Sequence, residues 1–215
     1  MPDAGYSHII GGGGTAGCVL AARLSETPTN RILLLEAGSR DWHPYIHMLV
    51  GFAKMTGSGL TWGYHTEPQR HAANRRIPYA QGRVLGGGSS VNAEVFTRGV
   101  PQDYDRWANE EGCPGWSFHD VQPYFMRSEG NTALSGTWHG NDGPLGVSNI
   151  ANPQPMTRAF VMACQQYGIP FNHDFNGSEQ EGAGYYQLNV VNGRRCSAAR
   201  GYLHPVLHRA NLTVL

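Results

Sequence analysis

The sequence predicts an α/β fold built on two parallel strands joined by a helix, and three observations carry that prediction. Residues 6–10 form a short, mostly apolar run closed by Gly11-Gly12-Gly13-Gly14. Residues 15–25 are rich in alanine and leucine, with Val19, Leu20, Ala22 and Leu24 on one broad apolar face. Residues 31–36 (RILLLE) form a second apolar run. Short apolar runs bounded by turn residues read as buried strands. A helix between two such strands gives a parallel pair with a right-handed crossover. Thr27-Pro28 ends the helix, because the residue before a proline is pushed out of the α region.

The later elements follow in order. Residues 37–81 hold tryptophans, prolines and scattered glycines and predict loops, short helical turns and a weak strand near Tyr64. Residues 84–96 contain Gly86-Gly87-Gly88-Ser89-Ser90 and then an apolar-biased run. Residues 101–111 predict a helix, with Pro101 in its first turn, Asp103 and Asp105 nearby and Gly112 after it. Residues 117–129 predict another, with Ser117 as N-cap, Asp120 at the third position, and Pro123 giving a short first turn or a kink. Residues 132–152 read as loop, with a strand at 145–147. Residues 155–167 read as a helix closed by Gly168. Residues 185–191 predict a strand leading to the turn Asn192-Gly193. Residues 197–210 predict a helix capped by Ser197 and interrupted by Pro205, and residues 211–215 (NLTVL) open a strand.

Composition narrows the function classes. Sixteen Lys+Arg balance sixteen Asp+Glu, so no general field draws in nucleic acid or acidic lipid. No apolar window approaches a bilayer span, and the first residues lack the order of a secretory signal, so a cytoplasmic protein is expected. Glycine is abundant at 29 of 215 residues, and charged residues are scarce at 15% against roughly 25% in ordinary domains. Such a chain suits a body that wraps a ligand or packs on further protein. Cys18, Cys113, Cys164 and Cys196 are far apart without a CxxC, and read as reduced, mostly buried thiols. The pairs His43/His47 and His204/His208 lack a convergent acid or cysteine, so no metal site is expected. Arg194-Arg195 reads as a solvated turn in preference to a phosphate contact.

The strongest local signal is Gly12-x-Gly14-x-x-Gly17 between the first strand and helix, with Glu36 about 20 residues further on. Gly12 permits the sharp turn, Gly14 lets backbone N–H groups approach a pyrophosphate, and Gly17 lets the helix pack closely on the strand. The helix N-terminus, with Thr15 and Ala16 in its first turn, offers unpaired donors and a partial positive charge. Glu36 at the end of the second strand is placed to accept from ribose hydroxyls, and its charge disfavours a 2′-phosphate. Dinucleotide binding follows, with FAD and NAD both open on this motif alone.

A second motif separates them. Gly82-Arg83-Val84-Leu85-Gly86-Gly87-Gly88-Ser89-Ser90-Val91-Asn92-Ala93-Glu94-Val95-Phe96-Thr97-Arg98-Gly99 resembles the first signature of the glucose–methanol–choline (GMC) family of flavin oxidoreductases. Residues 9–17, Leu33 to Gly38, Trp62-Gly63-Tyr64, Thr66-Glu67-Pro68, Asp103 to Trp107, and Asn192 to Arg200 are similar to the family as well. The resemblance runs from Tyr6 to Leu215. It implies a discontinuous Rossmann-like FAD-binding domain with part of an inserted α+β substrate domain. Residues 1–149 are then mainly FAD-binding with cofactor-covering loops, 150–192 begin the substrate domain, and 193–215 return to the FAD domain. It implies cofactor contacts from Gly12, Gly14, Thr15, Ala16, Gly17, Glu36, Ala37, Val84, Gly88, Asn92, Ala93 and Val95. Trp62 borders the cofactor in family members, with an ordinary core tryptophan as the competing reading. Some members bind FAD covalently through a histidine before this asparagine. Val91 stands there, so non-covalent FAD is implied.

The resemblance further implies oxidation of a small-molecule alcohol by hydride transfer to the flavin. The family's second signature and its C-terminal His–His or His–Asn pair are not present in these residues. The expectation is the N-terminal part of a longer enzyme, completed by a C-terminal half or a second chain, with no catalytic base assigned here. The competing readings are a flavin-fold lyase, a photodecarboxylase, or an inert fragment.

Overall fold

The computed structural model describes residues 5–215 and divides them into two compact units. The first joins the chain up to Glu94 with Asn192–Leu215, and the second is Val95–Val191. This division by compactness falls after Glu94 and Val191.

In the first unit, strand β1 (His8–Gly11) leads through a glycine turn into helix α1 (Thr15–Leu24), and strand β2 (Ile32–Leu35) follows. β1 and β2 pair in parallel with Ile9 opposite Leu33. The strand Leu212–Val214 adds to the other side of β2, also in parallel. β2 is therefore central, and its alternation shows which face is filled. Ile32 and Leu34 are fully buried with Cys18 and Ala21 of α1, Leu85, Ala198, Ala199, Leu203 and Leu212. Burying side chains of this size contributes about 1.5–3 kcal/mol each. A second cluster, Ile46, Met55, Leu60 and Val84, lies under the short helical turns Pro44–His47 and Phe52–Met55.

Three expectations for this unit need correction. Residues 6–10 are not a strand buried on both sides: Ile9 is 66% exposed. Parallel sheets are normally covered on both faces, and the described residues cover one. The helix expected over 197–210 is a π-helical turn, Ala199–Leu203, followed by a 3-10 turn, His204–Val206. Pro205 has no N–H to give Gly201, and its ring crowds the preceding carbonyls. The chain widens accordingly, and the His204 N–H reaches Ala199 O five residues back. Ser197 still caps the turn, its Oγ accepting from Arg200 N at 3.2 Å. The cysteines are thiols outside any disulfide but are not mostly buried: Cys18 and Cys196 are buried, Cys164 is intermediate and Cys113 exposed. Burial pushes the Cys18 thiol up to about 12.

In the second unit, Val95–Phe96 pairs antiparallel with Gln187–Leu188, and Glu129–Asn131 pairs in parallel with Leu145–Val147. Helix Phe118–Ser128 starts on the expected capping box: Ser117 Oγ accepts from Asp120 N, and Asp120 accepts from Ser117 N at 3.1 Å. The helix runs on through Pro123. Helix Pro155–Gln166 ends where Gly168 takes φ +95°.

A buried charged cluster holds this second unit together. Arg98 pairs with Glu129, and both side chains are essentially inaccessible. His139 Nδ1 lies 2.8 Å from Glu129 Oε1, and its Nε2 lies 2.9 Å from Asp174 Oδ2. An imidazole that meets a carboxylate at both nitrogens donates to both only as the cation. Burial alone pushes His139 down, but the hydrogen bonds to Glu129 and Asp174 outweigh it and hold the ring above its ordinary value. Burial likewise pushes Glu129 up, while hydrogen bonds from His139 and Asn131 and the Arg98 charge bring it below the ordinary carboxylate value. A raised histidine stabilises the fold fully below the ordinary 6.5, and that contribution is lost as pH rises through its raised value. A depressed Glu129 stabilises above the ordinary 4.5, and that contribution is lost as pH falls through its depressed value. Denaturant midpoints measured against pH are therefore expected to fall on the alkaline side in the native protein. The alkaline slope should be absent in His139→Gln; an unchanged slope in that variant would show that the ring is not the titrating group.

Candidate functional site

The site is built by two glycine turns that lock into each other. Gly12 leaves β1 at φ +101°, a conformation that L side chains rarely adopt. Gly14 is the N-cap of α1, which has no side-chain cap and no acid in its first turn, so its first N–H groups point out uncapped. A Cβ on Gly17 would lie 2.0 Å from Gly12 O, so only glycine lets α1 sit this close to the turn. The second loop enters at Gly82 and turns at Gly86 and Gly87, both at positive φ. Gly86 N donates to Gly13 O at 2.7 Å, and a Cβ on Gly87 would stand 2.8 Å from the Gly14 Cα. The second turn tolerates no side chain at Gly87 in this crossing, whereas an added Cβ on Gly14 would meet the Gly87 Cα only at 3.9 Å.

Glu36 ties the floor together. Its Oε2 accepts from Gly13 N and its Oε1 from Gly38 N, each at 2.7 Å. Each oxygen keeps acceptor capacity for a further donor. Gly38 in turn sits against Arg83 O, and Leu85 N donates to Ser39 O at 2.9 Å.

Above these turns opens a cavity of about 730 Å³ lined by Gly12, Gly14, Thr15, Leu35, Glu36, Ala37, Trp62, Gln81, Gly82, Gly87 and Gly88. Seven residues singled out from the sequence therefore meet there: Gly12, Gly14, Thr15, Glu36, Ala37, Trp62 and Gly88. Ala16 is exposed in the first turn of α1 and Gly17 is buried beneath. Trp62 is not a core residue: it is 43% exposed, stacked on Tyr64, with the Arg83 guanidinium 5.1 Å from its ring. The side chain of Val84 does not line the cavity but is buried in the second core cluster. Asn92 and Ala93 are exposed beyond the short helix Gly88–Val91. Val95 belongs to the second unit and is exposed. Leu35, Gln81, Gly82 and Gly87 also line the cavity and are not among the residues the sequence singles out, although Gly82 and Gly87 lie inside the long glycine motif. Arg195 departs from expectation, since it is fully buried and Arg194 alone is exposed.

The dimensions and donors fit a dinucleotide. Uncapped helix N–H groups lie beside glycines that present no side chain, and the Glu36 carboxylate lines the same cavity, a set of donors and an acceptor that suits a diphosphate and hydroxyl groups. The model of the GMC oxidoreductase family matches residues 6–215. The chain belongs to the GMC oxidoreductase family. It is 43% identical over 212 residues to the alcohol dehydrogenase (acceptor) of Pseudomonas putida, covering 98% of this chain and 38% of that protein. To the mitochondrial choline dehydrogenase of Mus musculus it is 42% identical over 217 residues, covering 96% of this chain and 36% of that protein. Among solved structures it is similar to pyridoxine 4-oxidase from Mesorbium loti, with a TM-score of 0.91 and 37% identity over 96% of this chain and 41% of that one. The chain thus spans less than half the length of these relatives. Among the described residues, no helix is long and apolar enough to cross a membrane.

Proposed function

We propose that this chain is the N-terminal, cofactor-binding part of an oxidoreductase that oxidises the CH–OH group of a small alcohol. The cofactor is FAD, held without a covalent bond because Val91 stands where a linking histidine would be needed. The carrying observation is the interlock of the Gly12–Gly17 and Gly82–Gly88 turns above Glu36, a cradle that added Cβ atoms would fill. Thr15, Ala16 and Gly17 would hold the diphosphate through backbone N–H groups at the start of α1. Glu36, fixed by Gly13 and Gly38, would accept from the ribose hydroxyls. Trp62, Gly88, Asn92 and Ala93 would border the isoalloxazine ring, with Val84 approaching through its backbone.

When bound, FAD supplies the acceptor for the hydride that leaves the alcohol carbon. The residues of this chain bind and orient it. Residues supplying a general base for the alcohol proton would come from outside this chain. The relatives named for alcohol and choline support the substrate class. Residues 150–192 would begin the substrate side.

The test is Glu36→Ala in the complete enzyme. Charged hydrogen bonds contribute about 1.5–3 kcal/mol, so FAD affinity measured by flavin fluorescence should fall roughly 10–100-fold. Unchanged affinity would contradict the ribose role.

A further inference from the structure

The buried pair behind Asn92 carries a role that the cofactor reading does not assign. Arg195 is 1% exposed, and each part of its guanidinium has a partner in the first unit. Its Nε donates to Ile46 O at 2.8 Å. Its Nη1 donates to Ser89 O at 3.2 Å and to Asn92 Oδ1 at 2.6 Å. Its Nη2 stands 2.7 Å from Glu94 Oε1, an ion contact. Glu94 is itself 2% exposed, and its N–H donates to Asn92 Oδ1 at 3.1 Å. Glu94 also adopts φ 61°, a conformation that L side chains rarely adopt.

These contacts decide which end of the Asn92 carboxamide faces out. Its oxygen accepts from two donors on the buried side, one of them a cation. Its Nδ2 has no protein acceptor among the described residues, and the residue as a whole is exposed. We propose that Arg195 is a positioning residue: it turns the Asn92 amide so that the NH2 group is offered to the cofactor, while Glu94 cancels the charge that Arg195 would otherwise leave beneath it. The inference rests on the proposed FAD site. Within that site it accounts for a fixed hydrogen-bond donor presented with no net charge behind it. A bare arginine would favour the negatively charged reduced flavin, and a bare glutamate would disfavour it.

That difference in sign separates positioning from simple structural support. In the FAD-loaded complete enzyme, the oxidised-to-reduced flavin ratio is measured at fixed potentials against a reference dye for wild type, Glu94→Gln and Arg195→Gln. Glu94→Gln leaves Arg195 uncompensated and is expected to shift the equilibrium roughly tenfold toward the reduced flavin. Arg195→Gln leaves Glu94 and loosens Asn92, and is expected to shift it the other way by a similar factor. Damage to the fold alone would move both variants in one direction. If Arg195→Gln does not fold, Asn92→Asp takes its place with the same expected sign, because it removes the outward donor and adds a negative charge. Opposite shifts support the role, and shifts of the same sign or none overturn it. Wild-type protein that retains no FAD would overturn the cofactor reading and this inference together. FAD retention without the opposed shifts would overturn the inference alone.

Discussion

Gly17→Ala is expected to deprive the protein of its cofactor while leaving much of its secondary structure in place. The added Cβ would stand 2.0 Å from Gly12 O, 3.1 Å from Gly12 C and 3.4 Å from Leu34 Cδ1. The first two are backbone, so no side-chain end can swing aside. Either α1 lifts from β1 or the Gly12 turn opens, and Gly12 already occupies φ +101°. Lifting α1 also disturbs its contact with β2, because Cys18 and Ala21 pack on Ile32 and Leu34. Overpacking of this kind costs about 1–3 kcal/mol, which corresponds to roughly 10–100-fold in FAD affinity if the strain falls on the turn. Gly11→Ala is the matched control, since nothing lies within 4 Å of its added Cβ and its φ is not positive. Fluorescence titration of the two apoproteins with FAD checks the pair. Equal affinities would mean that the close helix–turn approach does not shape the site.

The largest expected effect on stability lies in the second unit. Arg98→Met removes one of the two cationic partners of Glu129, the other being His139, and the Glu129 side chain is fully buried. Arg98 also donates through Nη1 to Trp138 O at 2.5 Å, and its own N–H donates to Asn176 Oδ1 at 2.8 Å. Only the side-chain contacts are lost in the variant. A buried carboxylate stripped of one partner typically costs about 3–5 kcal/mol, whereas replacing both members of a pair costs far less. Denaturant unfolding should therefore show a large loss for Arg98→Met and partial recovery in Arg98→Met/Glu129→Gln. The remaining charges favour that recovery only in part, because His139 and Asp174 stay behind. Equal losses in the single and double variants would show that the packing of Arg98, not its charge, matters.

What could be read in advance follows the range of each interaction. Gly12, Gly14, Gly17 and Glu36 were legible because strand, turn and helix are neighbours in the chain and the backbone itself demands glycine there. The capping box at Ser117 and Asp120 was legible for the same reason. The interlock of Gly13 with Gly86 joins loops whose docking no local pattern announces. Arg195 was misread because two adjacent arginines beside Asn192-Gly193 look like a solvated turn. Its burial depends on Asn92, 103 residues away. The charged cluster of the second unit was invisible for that reason too, since His139 meets Asp174 across 35 residues and Arg98 meets Glu129 across 31. Exposed Ile9 shows the converse limit. An apolar run reports that a strand has faces to bury, and says nothing of whether the covering element lies within these residues.

In the proposed site an FAD diphosphate sits at the uncapped start of α1 with its ribose on Glu36. A crystal structure of the flavin-loaded enzyme tests it most directly. Diphosphate oxygens are expected within hydrogen-bond distance of the Thr15–Gly17 N–H groups, with a ribose hydroxyl on the Glu36 carboxylate. A diphosphate bound away from the Gly12–Gly17 turn, or a nicotinamide dinucleotide in its place, would contradict it.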